Sequence, residues 1–168
     1  MKKTVFRYGS YGAIVISVLF ILGWFIGESF DFSTQEIIGY VSMIVSLSFV
    51  YFGIKHFRDK ENNGKVTLGK ALLIGVLISL ITALAFGMID VIYIKYLNPD
   101  FMTEYYEHAI EQMRTTLSAE AFKIKLAELE AEKELFSSLT VSFLLMSFTV
   151  FIIGFIISLL SAFILQRK

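Results

Sequence analysis

Residues Leu68–Asp90 read LGKALLIGVLISLITALAFGMID, and this stretch decides the fold. Between Lys70 and Asp90 it holds no charge and no proline. An α-helix needs about 20 mostly apolar residues to cross the roughly 30 Å of hydrocarbon in a bilayer, and this run supplies them. Strict alternation of apolar and polar residues is absent, so a helix fits and a barrel strand does not. The same reading finds four spans in all, at about 11–27, 37–54, 68–89 and 139–165. The expected fold is all-α, a polytopic membrane protein with four transmembrane helices in a single domain over 1–168.

Composition points the same way. Of 168 residues, 56% are hydrophobic and 18% charged, where soluble domains run nearer 45–50% apolar. The absence of cysteine excludes disulfides, thiol chemistry and cysteine-held metals. Two histidines, His56 and His108, stand far apart in sequence and suggest no shared metal site. Met1-Lys2-Lys3 before an apolar run resembles a secretory signal. The run is long, however, and ends Phe25-Ile26-Gly27-Glu28 with no small-x-small cleavage pattern, so it reads as a retained first helix.

Charge sets the expected orientation. Ten of the 15 basic residues fall in the N-terminus, the segment from Lys55 to Lys70, and the C-terminus. Thirteen of the 15 acids fall on the other side, with Glu28, Asp31, Glu36, Asp90, Asp100 and eight further glutamates. Both termini and the loop from Lys55 to Thr67 are expected in the cytoplasm. The segment at 95–138 is expected outside, as an extramembrane helical hairpin between helices 3 and 4. There Asn98 can cap a helix with Pro99 at its first position. Tyr106, Ile110, Met113 and Leu117 make one apolar stripe; Phe122, Leu126, Leu129 and Phe136 make a second, opened by Ser118 as a cap. The second outer helix can run straight into span four.

Small residues recur four apart. Gly75, Ser79, Ala83 and Gly87 form a ladder on span three, and Gly154, Ser158 and Ala162 one on span four. Gly23 and Gly27 make a GxxxG on span one, and Ser42 and Ser46 pair on span two. Lipid offers helices no hydrophobic drive to associate, so close backbone approach at small residues supplies dispersion contacts instead. Internal bundle packing is the plain reading; a seam for a second copy or a partner subunit is the functional one. Tyr8, Tyr11, Tyr40, Tyr51, Tyr93 and Tyr96 stand near span ends, where an aromatic belt meets the headgroups.

Few groups suggest chemistry. Gly64-Lys65-Val66-Thr67-Leu68-Gly69-Lys70-Ala71 nearly matches GxxxxGK[ST], but Ala71 lacks the hydroxyl that ligates magnesium and no strand precedes it. Asn62-Asn63-Gly64 reads instead as a turn, Thr67 as a helix cap, and Lys70 as a snorkelling cation. Asp90 is the candidate intramembrane or interfacial acid. It stands 22 steps past Leu68, about 33 Å along a helix, and so near the outer interface. Glu28, Asp31 and Glu36 crowd a short loop but lack the shaped loop that calcium prefers. His108 among Glu104, Glu107 and Glu111 can respond to pH or simply face solvent. The basic loop at 55–70 is too short and too mixed with Asp59 and Glu61 for nucleic acid; attraction to anionic headgroups accounts for it.

Tyr51-Phe52-Gly53 closes one span, Arg58 follows, then Asn63-Gly64, then Gly69-Lys70-Ala71 and Gly75 opening the next span, then Pro99-Asp100-Phe101 after it. This order resembles the small bacterial membrane-protein family catalogued as domain of unknown function 4199, over nearly the whole chain. The resemblance implies four spans, a bacterial inner membrane and a periplasmic outer side. It brings no catalytic residue with it.

The expectation is an integral inner-membrane protein that is not an enzyme, an accessory or interaction protein. The alternative is a small oligomeric transporter or channel, with Asp90 or Glu28 as its coupling carboxylate. No cofactor and no metal are expected. Expected partners are the lipid bilayer and either further copies of the chain or another membrane protein, with no nucleic acid and no nucleotide.

Overall fold

The computed structural model describes residues 1–27, 30–136 and 138–167, with the backbone alone at 132 and 134–136. Six helices follow in order: α1 (Lys2–Gly27), α2 (Phe32–His56), α3 (Leu68–Ile92), α4 (Phe101–Thr116), α5 (Ala119–Phe136) and α6 (Leu139–Leu165). Helices α1, α2, α3 and α6 are long and apolar enough to cross a membrane. α1, α2 and α3 start or end beyond the apolar runs themselves, while α6 coincides with its run at 139–165. α2 closes in a wide turn at Phe57–Glu61 and α3 in another at Tyr93–Leu97. In the second, the Asn98 N–H reaches the Tyr93 carbonyl five residues back at 2.9 Å. No strand forms among the described residues. Val66 and Arg167 make one antiparallel bridge of two N–H···O bonds, each 2.9 Å.

The chain divides into two compact units, one of Met1–Phe86 with Met146–Lys168 and one of Gly87–Leu145. In the first, α3 is the central helix. It meets α1 where Gly9 faces Ile81 and Gly12 faces Thr82, α2 where Gly53 faces Ile78, and α6 where Gly75 faces Ser158 and Gly154 faces Ser79. The two α1–α3 pairs run parallel and the two α3–α6 pairs antiparallel, as in an up-and-down bundle. Thr4, Val5, Gly9, Gly12 and Ile16 are buried in the first half of α1, and Met43 to Ile54 supply the buried face of α2 in its second half. Those halves lie side by side, so the core of this unit sits toward the end that carries the termini. Phe25, Ile26, Ile37 and Val41, toward the other end, are exposed and suit contact with lipid tails.

In the second unit α4 and α5 contact each other. Lys133 Nζ on α5 stands 5.6 Å from the ring centroid of the buried Tyr106 on α4, which sets the two helices antiparallel. Ile110 and Met113 of the first stripe and Phe122, Leu126 and Leu129 of the second are half-buried, while Leu117 at the turn is exposed. The Phe136 side chain lies outside the described atoms. Ser118 does open α5: its Oγ accepts the Ala121 N–H at 3.4 Å and its carbonyl the Phe122 N–H at 2.8 Å. The start of α4 differs from the sequence reading. The helix begins at Phe101 after an Asn98-Pro99-Asp100 turn, with Asp100 in the cap position. The Asn98 amide is engaged elsewhere, donating to the Tyr93 hydroxyl at 3.3 Å and to Glu104 Oε2 at 3.4 Å. Among the described residues α5 ends at Phe136 and α6 begins at Leu139, as two helices and not one.

Candidate functional site

The small-residue ladders of α3 and α6 stand opposite one another. A methyl group at Gly154 would lie 2.6 Å from both Cβ and Oγ of Ser79 and 3.1 Å from Leu47 Cδ2. One at Gly75 would lie 2.7 Å from Ser158 Oγ and 3.1 Å from Val50 Cγ1. Real Cβ atoms do not approach so closely, so glycine alone fits at this helix separation. Ser79 and Ser158 are fully buried, their hydroxyls 3.2 Å apart. Ala83 and Ala162 extend the buried faces, and Gly87 is buried within the second unit.

Span one packs through different glycines from those the GxxxG spacing suggests. Gly23 has nothing within 4 Å of where a Cβ would stand, and Gly27 meets only Gln35, at 3.6 Å. The close approaches are at Gly9 and Gly12, three apart, and at Gly53 of α2, which has no small-residue partner four away and meets Ile78 and Tyr8. On α2 the Ser46 carbonyl lies 3.2 Å from the Cβ position of Gly12. Ser42 and Ser46 turn their own hydroxyls back to the carbonyls of Ile38 and Ser42, each at 2.7 Å.

The end that carries the termini holds a polar network. Glu61 accepts from the Thr4 hydroxyl and from the Met1 ammonium group, the latter at 2.6 Å, and His56 Nε2 stands 3.9 Å away. Arg58 is buried. Its guanidinium forks onto the neighbouring Asp59, with Nε at 2.6 Å from Oδ1 and Nη2 at 3.1 Å from Oδ2. Its Nη1 donates to the Leu165 carbonyl at 3.4 Å, tying the end of α6 to the turn after α2. Val66 and Arg167 close the same junction.

The stretch that nearly matches a phosphate loop is shaped otherwise. Asn63 and Gly64 take left-handed φ angles of 52° and 77°, the turn expected of Asn-Gly. The amides a phosphate would need are donated to carbonyls: Gly64 to Arg58 at 2.8 Å, Lys65 to Asn62 at 3.0 Å and Val66 to Arg167 at 2.9 Å. Lys70 Nζ lies 5.1 Å from the Phe57 ring centroid. The Ala71 N–H bonds the Thr67 carbonyl at 2.9 Å as α3 begins.

Asp90, in the second unit, is 6% exposed, and its Oδ2 has no hydrogen-bond partner among the described residues. A buried carboxylate in that condition is costly if ionised. Of the outer-loop acids, Glu28 lies outside the described residues and Glu36 is exposed. Asp31 precedes α2 and accepts the Thr34 hydroxyl at 2.6 Å, a bond that holds its carboxyl below the usual value. Among the described residues no three acidic or histidine side chains gather as metal ligands. His56 packs its ring 5.6 Å from that of Tyr8, while His108 is an exposed residue of α4.

Four membrane-length apolar helices define a multi-pass helical membrane protein. The chain belongs to the family described as protein of unknown function (DUF4199), which it matches over residues 7–167. No curated protein and no solved structure matches it. The residues that carry the resemblance have visible work in the fold. Gly53 and Gly75 admit neighbouring helices, Arg58 holds the end of α6, Asn63-Gly64 makes the left-handed turn, and Pro99-Asp100-Phe101 starts α4.

Proposed function

We propose that this protein is a non-enzymatic accessory or interaction protein of the bacterial inner membrane, with both ends in the cytoplasm and the α4–α5 hairpin outside the bilayer. The observation that carries the reading is the closed packing of the first unit. Gly9, Gly12, Gly53, Gly75 and Gly154 admit side chains of the neighbouring helices, Gly12 the Ser46 carbonyl as well, and the buried hydroxyls of Ser79 and Ser158 are turned on each other and on their own helices. At these crossings the described side chains leave no room between the helices for a solute. The hairpin, by contrast, carries nine acids against four basic residues between Asn98 and Ser138, a charged outer surface suited to contact with another protein.

Two experiments test this. Mild-detergent purification of tagged protein from its native membrane, with mass spectrometry and sizing, is expected to bring down a stoichiometric second protein. Recovery of the chain alone, together with solute flux in proteoliposomes, would sink the reading. Orientation is read separately, because the chain has no cysteine of its own. Lys65→Cys is expected to resist an impermeant maleimide in intact spheroplasts, and Glu120→Cys to react; the opposite pattern inverts the topology.

A second reading, a small transporter or channel assembled from several copies, draws on one observation, the orphaned carboxylate oxygen of Asp90. In that reading Asp90→Asn abolishes flux in proteoliposomes; flux that persists unchanged removes Asp90 from any transport path.

A further inference from the structure

Two features meet where α1 crosses α2 near the termini, and the packing of the bundle uses neither fully. One is a run of rings. Tyr8 lies 5.7 Å from Tyr11, Tyr11 5.8 Å from Phe49, and Phe49 6.4 Å from Phe52. Tyr11 and Phe52 are 46% and 50% exposed, on the outside of a helix pair that reads as membrane-spanning.

The other feature is positive charge in excess of the acids. The segments at this end contain only two acids, Asp59 and Glu61. Both are engaged, Asp59 by Arg58 and Glu61 by the Met1 ammonium, Thr4 and His56. Among the described lysines and arginines here, Arg58 alone lies within ion-pair distance of a described carboxylate. Lys3, Arg7 and Lys55 are exposed. Lys3, Arg7 and Tyr11 succeed one another four apart on α1, and Phe52 and Lys55 are three apart on α2, so each set shares a helix face. Cations thus lie toward the helix ends, with rings one turn deeper.

We propose that this α1–α2 seam binds an anionic phospholipid of the surrounding bilayer, its phosphate against Lys3, Arg7 and Lys55 and its glycerol and upper acyl chains along Tyr11 and Phe52. The chemistry selects this occupant. A zwitterionic headgroup brings its own cation into a field of three. A soluble anion matches the charges but leaves the rings unused. Tyr and Phe at headgroup depth suit the boundary between the polar and apolar parts of a lipid, and lysine and arginine side chains reach the phosphate by snorkelling. The inference requires only that the bundle spans a bilayer; it holds whichever side the termini face and whatever partner the hairpin has.

The test uses full-length protein purified in detergent and titrated with phosphatidylglycerol or phosphatidylcholine, bound lipid being counted by native mass spectrometry. Phosphatidylglycerol is expected to be retained at least roughly fivefold better, and each cation removed by Arg7→Gln and then Lys3→Gln to weaken it roughly fivefold. Phosphatidylcholine retention stays level. Lys123→Gln with Lys125→Gln, an equal charge removed from α5, leaves both unchanged. Should the α1 variants lose helical circular dichroism, Lys55→Gln on α2 carries the same expectation. Equal retention of the two lipids, equal loss in the α5 variant, or displacement of the lipid by inorganic phosphate would each overturn the proposal.

Discussion

Ser79 and Ser158 face each other across α3 and α6 with their hydroxyl oxygens 3.2 Å apart, and each also reaches the carbonyl four residues behind it, Gly75 at 2.9 Å and Gly154 at 2.6 Å. Each hydroxyl has one proton to donate, so two protons serve three contacts. The crossing is polar yet self-sufficient: losing one hydroxyl leaves the other with its own carbonyl.

That arrangement sets a modest energy for the pair. Interhelical hydrogen bonds inside membranes average about 0.6 kcal/mol and reach about 1.7 kcal/mol. A double-mutant cycle of Ser79→Ala and Ser158→Ala, read by reversible unfolding in detergent, is expected to give a coupling of about 0.6 kcal/mol. A coupling above roughly 3 kcal/mol would mean that the hydroxyls, and not the glycines, hold the crossing together.

Glycine carries the larger part. Gly154→Val places a branched side chain where even a methyl would stand 2.6 Å from Ser79, and overpacking of this kind costs about 1–3 kcal/mol. Gly23→Val, with nothing within 4 Å, is expected to stay within about 0.5 kcal/mol of the parent. The same unfolding assay compares the two. If Gly23→Val proved the more damaging, the GxxxG of α1 would be serving a contact with another chain.

The contrast shows what the sequence can say about packing. Ladders four apart on α3 and α6 are legible because one helix face repeats at that step, and two such faces on membrane helices tend to find each other. Gly9, Gly12 and Gly53 are not legible: two are three apart and one has no small-residue partner four away. Their role depends on Ile81, Thr82 and Ile78, on a helix whose rotation the spacing does not fix. Arg58 reads in sequence as one more cation of the positive end. Its burial follows from the Leu165 carbonyl, over a hundred residues later, which no local pattern announces. Asn98 before Pro99 reads as a helix start, yet its amide is drawn to Tyr93 and Glu104 and the helix opens further on. The cations of this end are legible as a class, while the meeting of the Tyr11 and Phe49 rings depends on the α1–α2 crossing.

Arg58 anchors the junction between the turn after α2 and the end of α6. Arg58→Ala removes a forked charge-assisted bond to Asp59 and the donor to Leu165, and hydrogen bonds to charged groups are worth about 1.5–3 kcal/mol. The variant is expected to lose stability in that range and to exchange the Val66 and Arg167 amide hydrogens faster, since those two bonds close the same joint. Lys60→Ala, at an exposed neighbour, is expected to change little. Unaltered exchange at Val66 in Arg58→Ala would show that the bridge to Arg167 stands without the guanidinium.

The near match to a phosphate loop gives the sharpest test of pattern against geometry. Ala71→Ser completes GxxxxGK[ST] at residues 64–71, and a pattern-based reading then predicts nucleotide binding. A phosphate is held by amides pointing inward from a glycine-rich loop with a strand behind it. Here the Gly64, Lys65 and Val66 amides already end on carbonyls, and Lys70 lies over Phe57. Ala71 is fully buried at the start of α3, so the added hydroxyl is expected to turn back to the Thr67 carbonyl four residues earlier. Calorimetric titration of Ala71→Ser with magnesium ATP should therefore show no saturable heat, as with the parent. Stoichiometric binding by the variant would mean that the loop opens and frees those three amides, and the Val66–Arg167 bridge would have to break with it.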